Sequence, residues 1–166
     1  MHRTLLLLGT NVGNRKEHLL DACEAIQQHI GSAELKSSVY ETDAWGKEDQ
    51  PAFLNQVILV TTTLTPEQVL DEILKIEKQM GRVRGEKWAS RIIDIDILFF
   101  DNEVIEKNKL KIPHPFLHER KFTLVPLAEL VPQFMHPVLG KSMGQLLREV
   151  NDPLEVRPYV EPSSSS

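Results

Sequence analysis

The sequence predicts an α+β fold, an antiparallel sheet with helices on one face, and three observations carry that reading. Short runs rich in Val, Ile, Leu and Thr alternate with two stretches whose apolar residues recur at helical spacing. Each of those stretches opens on a cap signature, Asn14 with Glu17 and Thr65 with Gln68, and each meets a glycine at its end, Gly31 and Gly81. The resulting order is strand, helix, strand, strand, helix, strand, which is the split-βαβ, ferredoxin-like sandwich. At 166 residues, 41% of them hydrophobic and 26% charged, the chain is long enough to close one core.

Residues 3 to 9 are apolar and form the first strand, ending at Gly9. The turn "GTNVGNR" leads into a helix whose buried stripe is Leu19, Cys23, Ile26 and Ile30. A second strand is expected over 35–40, where Leu35, Ser37 and Val39 alternate with polar neighbours. "TDAWGKEDQPAF" (42–53) has no periodicity, and loops of that length inside a compact domain tend to be functional. "FLNQVILVTTT" is a β-branched strand. Pro66 then occupies the first position of a helix with Val69, Ile73, Ile76 and Met80 on its buried face and Gly81 as its stop. A basic loop precedes "SRIIDIDILFFD" (90–101), read as a strand with Ile93, Ile95, Ile97 and Phe99 on one face. Asp94 and Asp96 share the other face with Ile92, Leu98 and Phe100. Residues 102–121 read as loop, and two short helices follow near 123–130 and 142–150. The domain is expected to span 1–158, with 159–166, ending in "SSSS", as a disordered tail.

A formal net charge of −5 argues against general nucleic-acid binding. The single cysteine, Cys23, cannot form an intramolecular disulfide and fits a reducing compartment. "LLLL" is too short to span a membrane and lacks a signal-peptide cleavage site. The chain is therefore expected to be soluble, cytoplasmic and monomeric, with neither nucleic acid nor membrane as partner.

Asp94 and Asp96 are the residues that ask for an explanation. Side chains at i and i+2 of a strand point the same way, with Cα atoms about 6.5–7 Å apart. Two carboxylates so placed are either a wet polar stripe or ligands for divalent ions, and magnesium suits an all-oxygen site completed by phosphates. Upstream, "GRVRGEKWASR" carries Arg82, Arg84, Lys87 and Arg91 in an otherwise acidic chain. Surface ion pairing accounts for one or two of these; phosphate, gripped by guanidinium groups and bridged by metal, accounts for the set. Phosphoryl transfer needs positioning and charge stabilisation more than a protein nucleophile. Trp88, Trp45 and Phe53 are either partial core or aromatic walls for a planar ring, and Asn55 offers a donor and acceptor to a heterocycle edge. Glu77 alone reads as a solvated helix residue, and His114, stiffened in "PHP", as a structural histidine or, with Arg120, a phosphate contact. The residues alone stop at phosphoryl transfer involving a ring-bearing ligand.

Four stretches, "LLLGTNVGNR", "FLNQVI", "IEKQMGRVR…KWASRIIDIDILFF" and "IPHPFLHERKFTLVPLAEL", closely resemble the 6-hydroxymethyl-7,8-dihydropterin pyrophosphokinase family over about residues 4–150. The resemblance implies transfer of pyrophosphate from ATP to the pterin hydroxymethyl group, with release of AMP, in folate biosynthesis. It implies Asp94 and Asp96 as ligands of two magnesium ions, and Arg82 and Arg91 as stabilisers of the transferred group. Glu77, Arg84, Trp88, His114 and Arg120 fall on the nucleotide side. The pterin stacks between Phe122 and Phe53, and Asn55 with the backbone near Thr42 and Trp45 reads its edge. The chain departs from the family where paired prolines often follow Thr42 (here Asp43 and Ala44) and where Trp45 replaces a smaller residue. The basic loop is one residue short, and Pro115 follows His114 in place of an aromatic. Nucleotidyl transfer, and a ferredoxin-like binding module without catalysis, are the rival readings.

Overall fold

The structure, a computed structural model, describes residues 1–43, 51–82 and 92–161, the side chain of Arg82 excepted. In chain order its elements are β1 (His2–Thr10), α1 (Arg15–His29), β2 (Ser32–Lys36), β3 (Tyr40–Thr42), β4 (Phe53–Thr62) and α2 (Pro66–Arg82). Then come β5 (Asp94–Phe100), β6 (Ile105–Lys107), β7 (Leu110–Ile112), α3 (Lys121–Leu130), α4 (Met143–Glu149) and β8 (Val156–Pro158). The main sheet runs β5-β1-β4-β3-β8, with β2 also on β4, and every pairing is antiparallel. This is the expected ferredoxin-like arrangement, its second strand position shared by β2 and β3.

Both helix caps form as the sequence predicts. The Asn14 side chain accepts from the Glu17 N–H, and Thr65 and Gln68 exchange reciprocal hydrogen bonds at 3.2 and 2.9 Å. Such caps are each worth about 1 kcal/mol. β1 then divides its side chains between two cores. Leu6 and Leu8 join the layer beneath α1 and α2, while Leu5 and Leu7 face α3 and α4. The expected single helical face thus describes α1 and α2. The opposite face is not left to loops alone, because α3 and α4 pack over the part that holds Leu5, Val57 and Phe99.

Four expectations are corrected in the fold. The single strand over 35–40 is two, because Ser37 interrupts it: its hydroxyl accepts from the Val57 N–H at 2.9 Å, a side chain entering the backbone ladder. The alternation along β5 is reversed at its end, since Leu98 is an extra residue opposite β1, whose Leu5 pairs with Phe99 and Leu6 with Ile97. That bulge turns Phe100 to the layer of Ile93, Ile95 and Ile97, and sends Phe99 to the Asp side with Leu98. α2 runs to Arg82, one residue past the expected stop at Gly81. Within 102–121 a small hairpin, β6 with β7, and a single 3₁₀ turn over Leu117–Glu119 replace the expected loop. β8 is a further strand that no periodicity announces, and Tyr159 beyond it still packs against the core. Residues 162–166 of the expected tail lie outside the described residues.

Candidate active site

The face of the sheet left open by α3 and α4 begins where β1 changes character. Along β1 from Leu5 onward the residues pointing to this face are Leu5, Leu7 and Gly9, and only the last has no side chain. Gly9 pairs with Asp94 on one neighbour and Asn55 on the other, while Leu7 pairs with Asp96 and Val57. Residues directly opposite in an antiparallel pair share a face, so Asp94, Asp96 and Asn55 point the same way. With strands about 4.8 Å apart, the Asp94 and Asn55 backbones stand roughly 10 Å from each other, and Gly9 makes a low floor between them.

Above that floor lies a cleft of about 400 Å³ lined by Thr42, Asp43, Phe53, Asn55, Asp94, Asp96, Arg120 and Phe122, with Leu7, Gly9 and Leu154. Asn55 is buried, and so is the Thr42 hydroxyl, which has no hydrogen-bond partner among the described residues. Phe122 is the second residue of α3, and the start of that helix is held from afar: the Lys121 N–H donates to Asp152 Oδ2 at 3.0 Å. The Arg120 guanidinium lies 5.3 Å from the Phe116 ring and 5.8 Å from the Phe122 ring. His114 is oriented by its own backbone, its Nδ1 accepting from the Phe116 N–H at 3.2 Å. Burial lowers its pKa; nearby Asp96 opposes the shift and Arg120 adds to it.

Glu77 corrects the solvated-helix reading. It is 5% exposed, and its Oε2 accepts from the Ile95 N–H at 2.8 Å, tying α2 to β5 midway between the two aspartates. Of the residues singled out in the sequence, the structure brings Asp94, Asp96, Thr42, Phe53, Asn55, Arg120 and Phe122 into one cleft. Trp45, Arg84, Trp88 and Arg91, with the Arg82 side chain, lie outside the described residues. Gly9, Leu7 and Leu154 are cleft residues that sequence reasoning passed over. Gly9 alone had a signal, a glycine ending an apolar strand, which often marks a close backbone approach.

The family model for 7,8-dihydro-6-hydroxymethylpterin-pyrophosphokinase matches residues 5–132. The chain belongs to this family. Its reaction is accordingly pyrophosphate transfer to the hydroxymethyl group of the reduced pterin, a step of folate biosynthesis, with ATP as co-substrate. It is 43% identical over 149 residues to the 2-amino-4-hydroxy-6-hydroxymethyldihydropteridine pyrophosphokinase of Aquifex aeolicus, covering 90% of this chain and 92% of that one. To the Bacillus subtilis enzyme of the same name it is 43% identical over 129 residues, 77% of each chain. In fold it is similar to a solved Plasmodium falciparum HPPK-DHPS chain, in a structure with pterin and p-hydroxybenzoate. The TM-score is 0.71 at 20% identity, over 89% of this chain and 42% of that longer one. Among the described residues no helix is long and apolar enough to cross a membrane.

Proposed function

We propose that this pyrophosphokinase divides its cleft along the Asp94–Gly9–Asn55 row, with the triphosphate over the aspartates and the pterin over Asn55. The carrying observation is that row, which puts an acidic pair and a buried amide on one face at opposite edges of a glycine floor. The oxygen donors of Asp94 and Asp96, half-exposed on the cleft, fit magnesium, and we assign them two ions. Bound there, the ions would neutralise phosphate charge and orient the phosphate oxygens.

The chain's own groups do the remainder. Phe53 and Phe122 face the cleft as aromatic walls for the pterin ring, while the Asn55 amide and the unpaired Thr42 hydroxyl offer hydrogen bonds to its edge. Arg120, on the cleft, and His114, close enough to Asp96 and Arg120 to feel both charges, supply donors on the phosphate side, joined from the basic segment by Arg82, Arg84 and Arg91, with Trp88 against the nucleotide base. Arg82 and Arg91 stabilise the group in flight. Glu77 supports the nucleotide side by holding β5 at Ile95. The hydroxymethyl oxygen attacks the β-phosphorus and AMP leaves. The lone cysteine, Cys23, is buried and fits the reducing, cytoplasmic compartment to which we assign the enzyme.

Phosphorus NMR of the products tests this directly. With magnesium, ATP and the reduced pterin, AMP forms only when pterin is present, and Asp94→Ala removes that activity while its far-UV spectrum is unchanged. Free pyrophosphate as the product, or full activity in the Asp94 variant, refutes the assignment.

A further inference from the structure

β3 and β4 separate just beyond the register pair Thr42 and Phe53, and both of these residues line the cleft. The strand ends at this gap are gripped by two arginines from elsewhere in the fold. Arg157 on β8 stands opposite Glu41 in the β3 ladder; its Nη2 lies 3.3 Å from Glu41 Oε1 and 3.0 Å from Asp43 Oδ1. Arg15, at the start of α1, pairs with the other Glu41 oxygen at 2.8 Å and donates to the Ala52 carbonyl at 2.7 Å. Its guanidinium lies 5.5 Å from the Tyr159 ring. One carboxylate therefore takes both guanidiniums, and each guanidinium reaches one side of the gap, Asp43 before it and Ala52 after it.

We infer that Arg157 and Arg15 form a brace across the gap between β3 and β4, and that they are positioning residues for the pterin end of the cleft. The inference rests on the assignment of Thr42, Phe53 and Asn55 to the pterin. The brace acts by keeping Thr42 and Phe53 in register where the ladder between them ends. Arg157 has a second effect: it neutralises Asp43, a carboxylate that would otherwise add its charge to a cleft already holding Asp94 and Asp96. The side chains of Glu41 and Arg15 are each 21% exposed, so solvent screens this pair less than a fully exposed one.

The test uses the full chain with Arg157→Ala, Asp43→Asn, the double variant and Asn55→Ala, measuring steady-state constants for each substrate. Arg157→Ala raises KM for the reduced pterin about three- to tenfold, while kcat and KM for ATP stay within about twofold. The double variant is no worse than Arg157→Ala, because both changes open one contact. Arg157→Lys recovers part of the loss, and the wild-type pterin KM rises with salt more than that of Arg157→Ala. Asp43→Asn alters one exposed side chain and keeps the question answerable if Arg157→Ala folds poorly. A parallel rise in KM for ATP, multiplied effects in the double variant, or an unchanged pterin KM beside a raised one in Asn55→Ala overturns the brace. If Asn55→Ala leaves pterin binding intact, the pterin end is misassigned and the brace falls with it.

Discussion

Gly9→Ala is the smallest change that tests how the cleft floor works. A Cβ built on Gly9 would lie 2.6 Å from Asn55 Nδ2, whereas ordinary van der Waals contact begins near 3.4 Å. The amide must therefore retreat by about 0.8 Å. Asn55 is 4% exposed and pairs directly with Gly9, so its room to move is toward the cleft. A displacement of that size would break the hydrogen bonds that the proposed pterin site gives the amide. Two such bonds, lost from a buried site, cost about 2–3 kcal/mol, or about 30- to 150-fold in affinity. Equilibrium titration of the reduced pterin, followed by calorimetry, reads this directly, and ATP affinity should change less than about twofold. The decisive comparison is Gly9→Ala placed on Asn55→Ala. With the amide gone the added methyl has nothing to displace, so the second substitution should cost almost nothing. The same 30-fold loss in both backgrounds would refute the steric argument.

Other consequences follow from buried polar groups. Glu77→Ala leaves the Ile95 N–H without its carboxylate acceptor and should destabilise the fold by about 1–3 kcal/mol in urea melts. Glu77→Gln, which keeps an oxygen there, should cost less; equal losses would mean that the hydrogen bond is not what matters. His136 is buried, and its Nδ1 accepts from the Val138 and Leu139 N–H groups, both at 3.1 Å. Burial, and to a lesser degree His118, lowers its pKa from 6.5 in the folded state. The unfolded chain therefore takes up this proton first, so the contribution is complete above pH 6.5 and is lost as pH falls toward the folded value. Melting temperature against pH should decline more steeply below 6.5 in wild type than in His136→Gln, and parallel curves would discount the histidine. The Tyr40 hydroxyl donates to Glu129 at 2.6 Å, and burial with that carboxylate pushes its pKa up to about 12. Ultraviolet titration should find Tyr40 ionising at about 12, and Glu129→Gln should bring it back toward 10.

Local rules are strong where neighbours in sequence are also partners in space. Asn14 with Glu17 and Thr65 with Gln68 close their own helix turns, so both caps were legible before any tertiary contact. Asp94 and Asp96 share a face by strand periodicity alone, and the family resemblance rests on continuous motifs of the same kind. Tertiary pairing decided the rest. The Leu98 bulge exchanged the directions of Phe99 and Phe100 because a period-two pattern cannot show where a neighbouring strand skips a residue. Glu77 looked solvated because its acceptor role is defined by Ile95, eighteen positions away on another element. Gly9 became a floor only when Asp94 and Asn55 were laid on either side of it. Arg157 and Asp43, 114 residues apart, meet because β8 returns to the edge of β3. Sequence spacing determined which chemical groups this chain presents and on which faces; distant backbone pairing decided which of them meet, because that distance is set by the sheet and not by the chain.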